Sequence, residues 1–207
     1  MTDTPPRRPG RRGRPGYDLE SLLAVAVELF NERGYDGTSM EDLSRKLGIT
    51  KSAIYHHVRS KEELLRLAVN RGLDGLFAEV DALDAVEGKA IDKLEHLVRA
   101  SVGVLVEQLP FVTLLLRVRG NSQVERDALE RRREFDQIVT DLVSKAAADG
   151  DLRPDVDPAT SARLLFGMVN SLVEWYRPRR GVGAAALADA VATVAFDGLR
   201  IRADDAS

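Results

Sequence analysis

From Asp18 onward the apolar residues recur with helical spacing. Leu19, Leu22, Leu23, Ala26, Val27 and Phe30 fall at i, i+3, i+4, i+7, i+8 and i+11, one stripe of an amphipathic helix. Gly34 follows where a C-terminal cap belongs. Thr38 with Glu41 has the spacing of a capping box for a second helix through Leu47, closed by Gly48. Thr50 can cap a third helix over about 51–58, and Ser60 with Glu63 opens a long fourth helix into the 80s. Residues 88–109 read as helix stopped by Pro110, which then fits the first turn of a short helix through Val118. Residues 122–149 form a long amphipathic helix ending at Gly150. A turn-rich stretch, 151–158, leads to helices over 158–176 and 184–201. No segment alternates apolar and polar residues for long, so the spacing predicts an all-α chain of about nine helices without strands.

Three short helices at the front, with a tight turn between the second and third, make a helix-turn-helix. Gly48 suits a backbone that needs positive φ between helices. Met40, Leu43, Leu47, Ile49, Ile54 and Val58 can pack with Val27 and Phe30 into a small core. The third helix then exposes Lys51, Ser52, Ala53, Tyr55, His56 and His57, a face able to touch phosphates and base edges.

Charge changes the picture by its distribution. The 207 residues carry a formal net charge of -3, which argues against a polyanionic partner for the chain as a whole. Residues 1–66 hold 12 Lys and Arg against 10 Asp and Glu, whereas the rest hold 18 against 23. Within 1–16 stand Arg7, Arg8, Arg11, Arg12 and Arg14 against only Asp3, in a Pro/Gly-rich stretch read as disordered. DNA contact confined to one end fits this layout.

Several classes are excluded. With no cysteine there is no disulfide framework, thiol nucleophile or cysteine-ligated metal. His56 and His57 point about 100° apart on a helix, and His96 has no matching carboxylates, so no metal site and no cofactor are expected. No Ser/His/Asp order, paired carboxylates in apolar context or glycine-rich phosphate loop supports an enzyme. The longest uncharged run, 164–173, is far below the roughly 20 residues of a membrane span. The basic N-terminus lacks the apolar stretch of a secretory signal, so the expected location is cytoplasmic.

The run Gly34-Tyr35-Asp36-Gly37-Thr38-Ser39-Met40, then Leu43, then Gly48-Ile49-Thr50-Lys51-Ser52-Ala53-Ile54-Tyr55-His56-His57-Val58, then Ser60-Lys61-Glu62-Glu63-Leu64 resembles the TetR family of transcriptional regulators over 18–65. Val58 stands where that pattern usually has Phe. The resemblance implies a phosphate contact from Thr38, a recognition helix led by Lys51, Ser52 and Ala53, backbone or base contacts from Tyr55 and His56, and a phosphate contact from Lys61. It divides the chain into a basic arm (1–16), a helix-turn-helix DNA-binding domain (17–64) and a ligand-binding and dimerisation domain (65–202). Arg12-Gly13-Arg14-Pro15 also resembles the core of an AT-hook. Arg12 and Arg14 would then enter a narrow minor groove, the other reading being a solubilising tail.

For the rear domain, Leu165, Met168, Val169, Leu172 and Tyr176 form one stripe, and Leu187, Val191, Val194 and residues 196–199 another. With a second copy they would make a four-helix bundle; buried within one subunit they would simply be core. A homodimer would match a palindromic operator on double-stranded DNA. Arg117 and Asn121, near an apolar set from Leu94 to Val118, are candidate ligand contacts, ordinary packing being the alternative. Arg131, Arg132 and Arg133 lie in a charged stretch whose pairs, such as Arg126 with Glu130 and Asp127 with Arg131, suggest a solvated face. Residues 149–158 and Glu174-Trp175-Tyr176-Arg177-Pro178 resemble the acyl-CoA-responsive TetR branch. That implies an acyl-CoA effector touching Trp175, Tyr176 and Arg177, which could instead anchor an interface. Phe166 and Asn170, one turn earlier, depart from the basic and aromatic contacts of steroid-type members. The expected protein is a dimeric repressor released by a small hydrophobic or acyl-CoA effector. A constitutive or architectural binder and an activator are the alternatives.

Deleting residues 2–16 is expected to weaken operator binding and flatten its salt dependence, by about 0.9 in log–log slope for each phosphate no longer neutralised. Fluorescence anisotropy at several salt concentrations checks this, and unchanged binding refutes a role for the arm.

Overall fold

The computed structural model describes residues 18–153, 155–178 and 182–199. Helix α1 (Leu19–Arg33) starts at Asp18, whose carboxylate accepts the Ser21 N–H at 2.8 Å, and stops at Gly34 with φ 81°. Helix α2 (Met40–Leu47) is capped one residue later than the spacing predicts. Ser39 and Asp42 form the box, with Asp42 N–H on Ser39 Oγ at 3.2 Å and Ser39 N–H on Asp42 Oδ2 at 3.0 Å. Thr38 cannot cap because its side chain is buried and its hydroxyl donates inward, to Gly34 O at 2.9 Å.

Gly48, at φ 66° and ψ 31°, makes the left-handed turn into α3 (Lys51–Tyr55). That helix ends earlier than expected because Val58 must turn back into the core, where it is 2% exposed. Helix α4 (Lys61–Ala82) begins at Ser60, whose Oγ accepts the Glu63 N–H at 3.1 Å. After a 3-10 turn at Leu83–Ala85, α5 (Ala90–Glu107) and α6 (Leu109–Arg117) meet at 102°, with Pro110 in the first turn of α6. Helices α7 (Gln123–Ala148), α8 (Pro158–Trp175) and α9 (Ala184–Leu199) complete nine helices and no strands among the described residues. Among those residues no single helix is long and apolar enough to cross a membrane.

The chain builds two apolar cores. In the front one, Leu22, Val27 and Phe30 of α1 meet Leu43, Ile54, Leu64, Leu65 and Leu73. It also takes Phe111, Leu114, Leu115 and Val118 from α6 and its end, and Val124 and Ala128 from α7. The head is therefore closed by the rear domain, and the boundary expected at residue 64 falls inside α4. Polar ties lock the same seam. Arg71 donates to both Glu20 oxygens and lies 4.5 Å over the Phe111 ring. Asn31 Nδ2 donates to Pro110 O at 2.8 Å, and Arg117 Nη1 to Asn31 O at 3.0 Å.

In the rear core, α5 lies between α9 and α7, and α7 packs on α8. Most of the expected dimer stripe belongs here: Leu165, Val169, Leu172, Tyr176, Leu187, Val191 and Phe196 are buried in their own subunit. On these two helices Leu164 (64% exposed) and Trp175 (58%) lie beside the α8 stripe, while Val194 (67%), a member of the expected α9 stripe, faces solvent. More than one face of α8 is apolar, so the periodicity alone did not say which one turns inward.

Leu115 is buried in the front core although it lies on α6. Leu115→Ala is expected to cost about 2–5 kcal/mol, seen as a lower urea midpoint with one shared transition for head and rear. A head that melts separately would contradict the shared core.

Candidate functional site

The first surface of interest is the outer face of α2 and α3. Ile54 and Val58 are buried behind it, which holds α3 with Lys51, Ser52, Tyr55, His56 and His57 facing solvent. Ala53 is half-buried, and its N–H donates to Thr50 Oγ1 at 3.2 Å. Lys51 is ion-paired with Glu41 of α2, so the first cation of α3 is held by the neighbouring helix. Asp42 takes Arg45 at 3.3 Å and Arg33 at 3.7 Å. Hydrogen bonds from the Ser39 side chain and backbone, aided by these arginines, hold its carboxyl below the ordinary carboxylate value.

Two residues expected on phosphates are placed otherwise. Thr38 is 1% exposed, with its hydroxyl on Leu29 O and Gly34 O. Lys61 turns inward: Nζ donates to Tyr35 O at 2.8 Å and Thr38 O at 2.9 Å, and sits 4.1 Å over the Tyr35 ring. Both residues build the loop between α1 and α2, a role that spacing along the chain does not reveal. Arg12 and Arg14 lie outside the described residues.

The residues expected around a ligand are not gathered into one cavity. Arg117 is bonded to Asn31 O. The Asn121 N–H joins those of Gly120 and Arg119 on Glu125 Oε2, at 2.7–3.2 Å, so this segment is a loop anchored on a buried carboxylate. Tyr176 is buried in the rear core, Trp175 faces solvent, and Arg177 folds back onto the carbonyls of Tyr176 and Glu174.

A cleft of about 420 Å³ opens instead between α7 and α8. Arg132, Arg133 and Arg163 stand at its polar side, with Val139, Ala162 and Phe166 as its apolar wall. Asp136 lines it too, and partial burial raises its carboxyl above the ordinary value against the pull of Arg132 and Arg163. Small residues of α8, Ala159, Ala162 and Gly167, keep the helix thin where it faces the arginines. That coincidence of small residues and basic ones was the available signal. It was obscured because the arginine triplet reads as a solvated face. The pairs Arg126 with Glu130 and Asp127 with Arg131 do not form. Arg126 bonds Gln123 and Gly120 O, and Arg131 reaches Asn70 and Asp74 of α4.

Both parts of the chain are similar to known proteins. Residues 22–68 match the family described as bacterial regulatory proteins, tetR family, and 87–199 match the tetracyclin repressor-like C-terminal domain. The HTH-type transcriptional repressor KstR2 of Rhodococcus jostii (strain RHA1) is 29% identical over 199 residues, 95% of this chain and 97% of that protein. The crystal structure of SCO3833, a TetR-family member from Streptomyces coelicolor A3, is 58% identical with a TM-score of 0.81, covering 88% of this chain and 92% of that one. The structure of AibR with isovaleryl coenzyme A and operator DNA is 26% identical with a TM-score of 0.72, covering 86% and 97%.

Lys61→Met separates a structural lysine from a phosphate contact. Losing its two charged hydrogen bonds is expected to cost on the order of 1.5 kcal/mol, read as a lower melting temperature. The salt slope of DNA binding should stay unchanged; a slope reduced by about 0.9 would put Lys61 on a phosphate after all.

Proposed function

The chain belongs to the tetR family of bacterial regulatory proteins, and from that premise we propose that it is a repressor released by an anionic, partly apolar effector in the α7–α8 cleft. Its head is a DNA-binding helix-turn-helix. Operator contact falls to the exposed Lys51, Ser52, Tyr55 and His56, with Ala53 close against the groove wall. Two copies would join through the apolar face of α8 and α9 that carries Leu164, Trp175 and Val194. Two-fold symmetry then presents both α3 helices to a palindromic operator in the cytoplasm.

The observation that carries the effector reading is the cleft itself. Among the described residues, Arg132, Arg133 and Arg163 make no hydrogen bond or close ion pair, while Phe166, Val139 and Ala162 offer an apolar wall. About 420 Å³ lies within the usual range for small-molecule sites, roughly 300–1,000 Å³. Guanidinium groups favour phosphate and carboxylate oxygens, and the wall favours a short acyl chain. A coenzyme A thioester joins those two chemistries in one molecule, and the structure of AibR contains isovaleryl coenzyme A. Release needs only that the effector bind more tightly to a state in which the two heads no longer fit the half-sites.

The test titrates fluorescent DNA from upstream of the protein's own gene, at fixed salt, with a panel of acyl-CoA esters including isovaleryl-CoA and phenylacetyl-CoA. Release by one ester is expected. The double variant Arg132→Ala/Arg163→Ala should need at least about tenfold more of it, since a charge-assisted contact contributes about 1.5–3 kcal/mol. Operator affinity without ester should be unchanged. Operator binding indifferent to every ester would leave a DNA-binding regulator and remove the effector assignment.

A further inference from the structure

Between the cleft and the head lies an aromatic cluster that starts at the cleft wall and ends on α4. Phe166 of α8, a wall of the cleft, meets Phe135 of α7 edge-on with ring centroids 5.1 Å apart. Phe135 in turn meets Phe77 of α4 edge-on at 6.2 Å. Phe135 itself is 4% exposed, buried between the other two rings. Phe77 packs against both apolar cores, the rear one and the front one that seats α3.

A second set of contacts, from Arg131, falls on the same part of α4. Its guanidinium donates to Asn70 Oδ1 and Asp74 Oδ1, each at 2.9 Å, and lies 5.1 Å over the Phe77 ring. These three partners span the segment of α4 that contains Gly72 and Gly75. Glycine in a helix interior costs about 1 kcal/mol against alanine and leaves the backbone easy to bend. At Gly75 a Cβ would stand 2.9 Å from Val104 Cγ1, so close approach of α5 requires the glycine. Arg131 is thus a splint across the stretch of α4 that holds both glycines. The next residue, Arg132, lines the cleft.

We infer that Phe135 and Arg131 are positioning residues of the switch: they set how α4 runs across Gly72 and Gly75, and through it the pose of α3, according to what presses on Phe166 and α7. The inference rests on the reading that the cleft is the regulatory site. The physical basis is that edge-to-face rings packed at interior density do not compress; a displaced ring moves its neighbour. Motion of Phe166 therefore passes to Phe135 and on to Phe77. The splint decides whether α4 follows as a rigid rod or bends at its glycines.

The experiment needs no ligand, so it is independent of whether any thioester binds. Phe166→Trp adds bulk at the cleft wall in place of an effector. Operator binding by the full chain is measured by anisotropy for the wild type, F166W, F135L, R131M and the two double variants F166W/F135L and F166W/R131M. Circular dichroism verifies folding, and F77L replaces F135L if the latter fails to fold. F166W is expected to lower operator affinity at least about fivefold, the low end of ordinary coupling between sites. In the F135L background the same change should move affinity less than about twofold, because the ring that relays the push is gone. In the R131M background its effect should differ from the wild-type effect by at least about threefold. An equal effect of F166W in all three backgrounds, or none in the wild type, overturns the inference. A failed acyl-CoA titration beside a positive cycle would instead discard the effector and keep the coupling.

Discussion

One helix is buried twice, and the rest of the architecture follows from it. The first half of α4 supplies Leu64, Leu65, Ala68, Val69 and Leu73 to the front core, and its later turns lay Leu76, Phe77 and Val80 against the rear one. A three-helix head of this length buries little by itself. Here it gains its missing wall from α6 and α7, through Phe111, Leu114, Leu115 and Ala128. The head and the rear domain consequently share one apolar core through α4, α6 and α7.

The same economy shows in the charges of the head. Lys51 is paired with Glu41, Lys46 with Glu28 at 2.8 Å, Arg33 and Arg45 with Asp42, and Lys61 with two backbone carbonyls. Exposed pairs of this kind contribute little to stability, about 0–1 kcal/mol each. They do set what a DNA backbone must displace. A helix-turn-helix with balanced charge relies on the fit of α3 and on other cations, and the sequence concentrates five arginines in residues 1–16. The rear domain gathers basic groups elsewhere, around an apolar-walled cleft between α7 and α8.

Much of the fold could be read from the chain. Caps at Thr50 and Ser60, the left-handed Gly48, Pro110 in the first turn of α6 and the stop at Gly150 are local chemistry, and each appears where the residues put it. The site was less legible. Thr38 and Lys61 look like phosphate contacts by position, yet one is sealed in the core and the other is bound by carbonyls of the α1–α2 loop. Trp175 and Tyr176 are neighbours in sequence and end on opposite sides of the boundary between solvent and core.

The all-α architecture, the helix-turn-helix and the surface that α3 presents were all specified by the order of residues along the chain, because helix periodicity, capping and turn geometry depend on residues three or four apart. Four outcomes needed the packed molecule: which apolar face of α8 is core, which arginines of α7 line a cleft, which one splints α4, and that α6 completes the head. Those depend on residues tens of positions apart, such as Arg131 with Asn70 or Asn31 with Pro110. A one-dimensional pattern shows that a face is apolar or a stretch is charged, but the partner that meets it is chosen by how the helices pack.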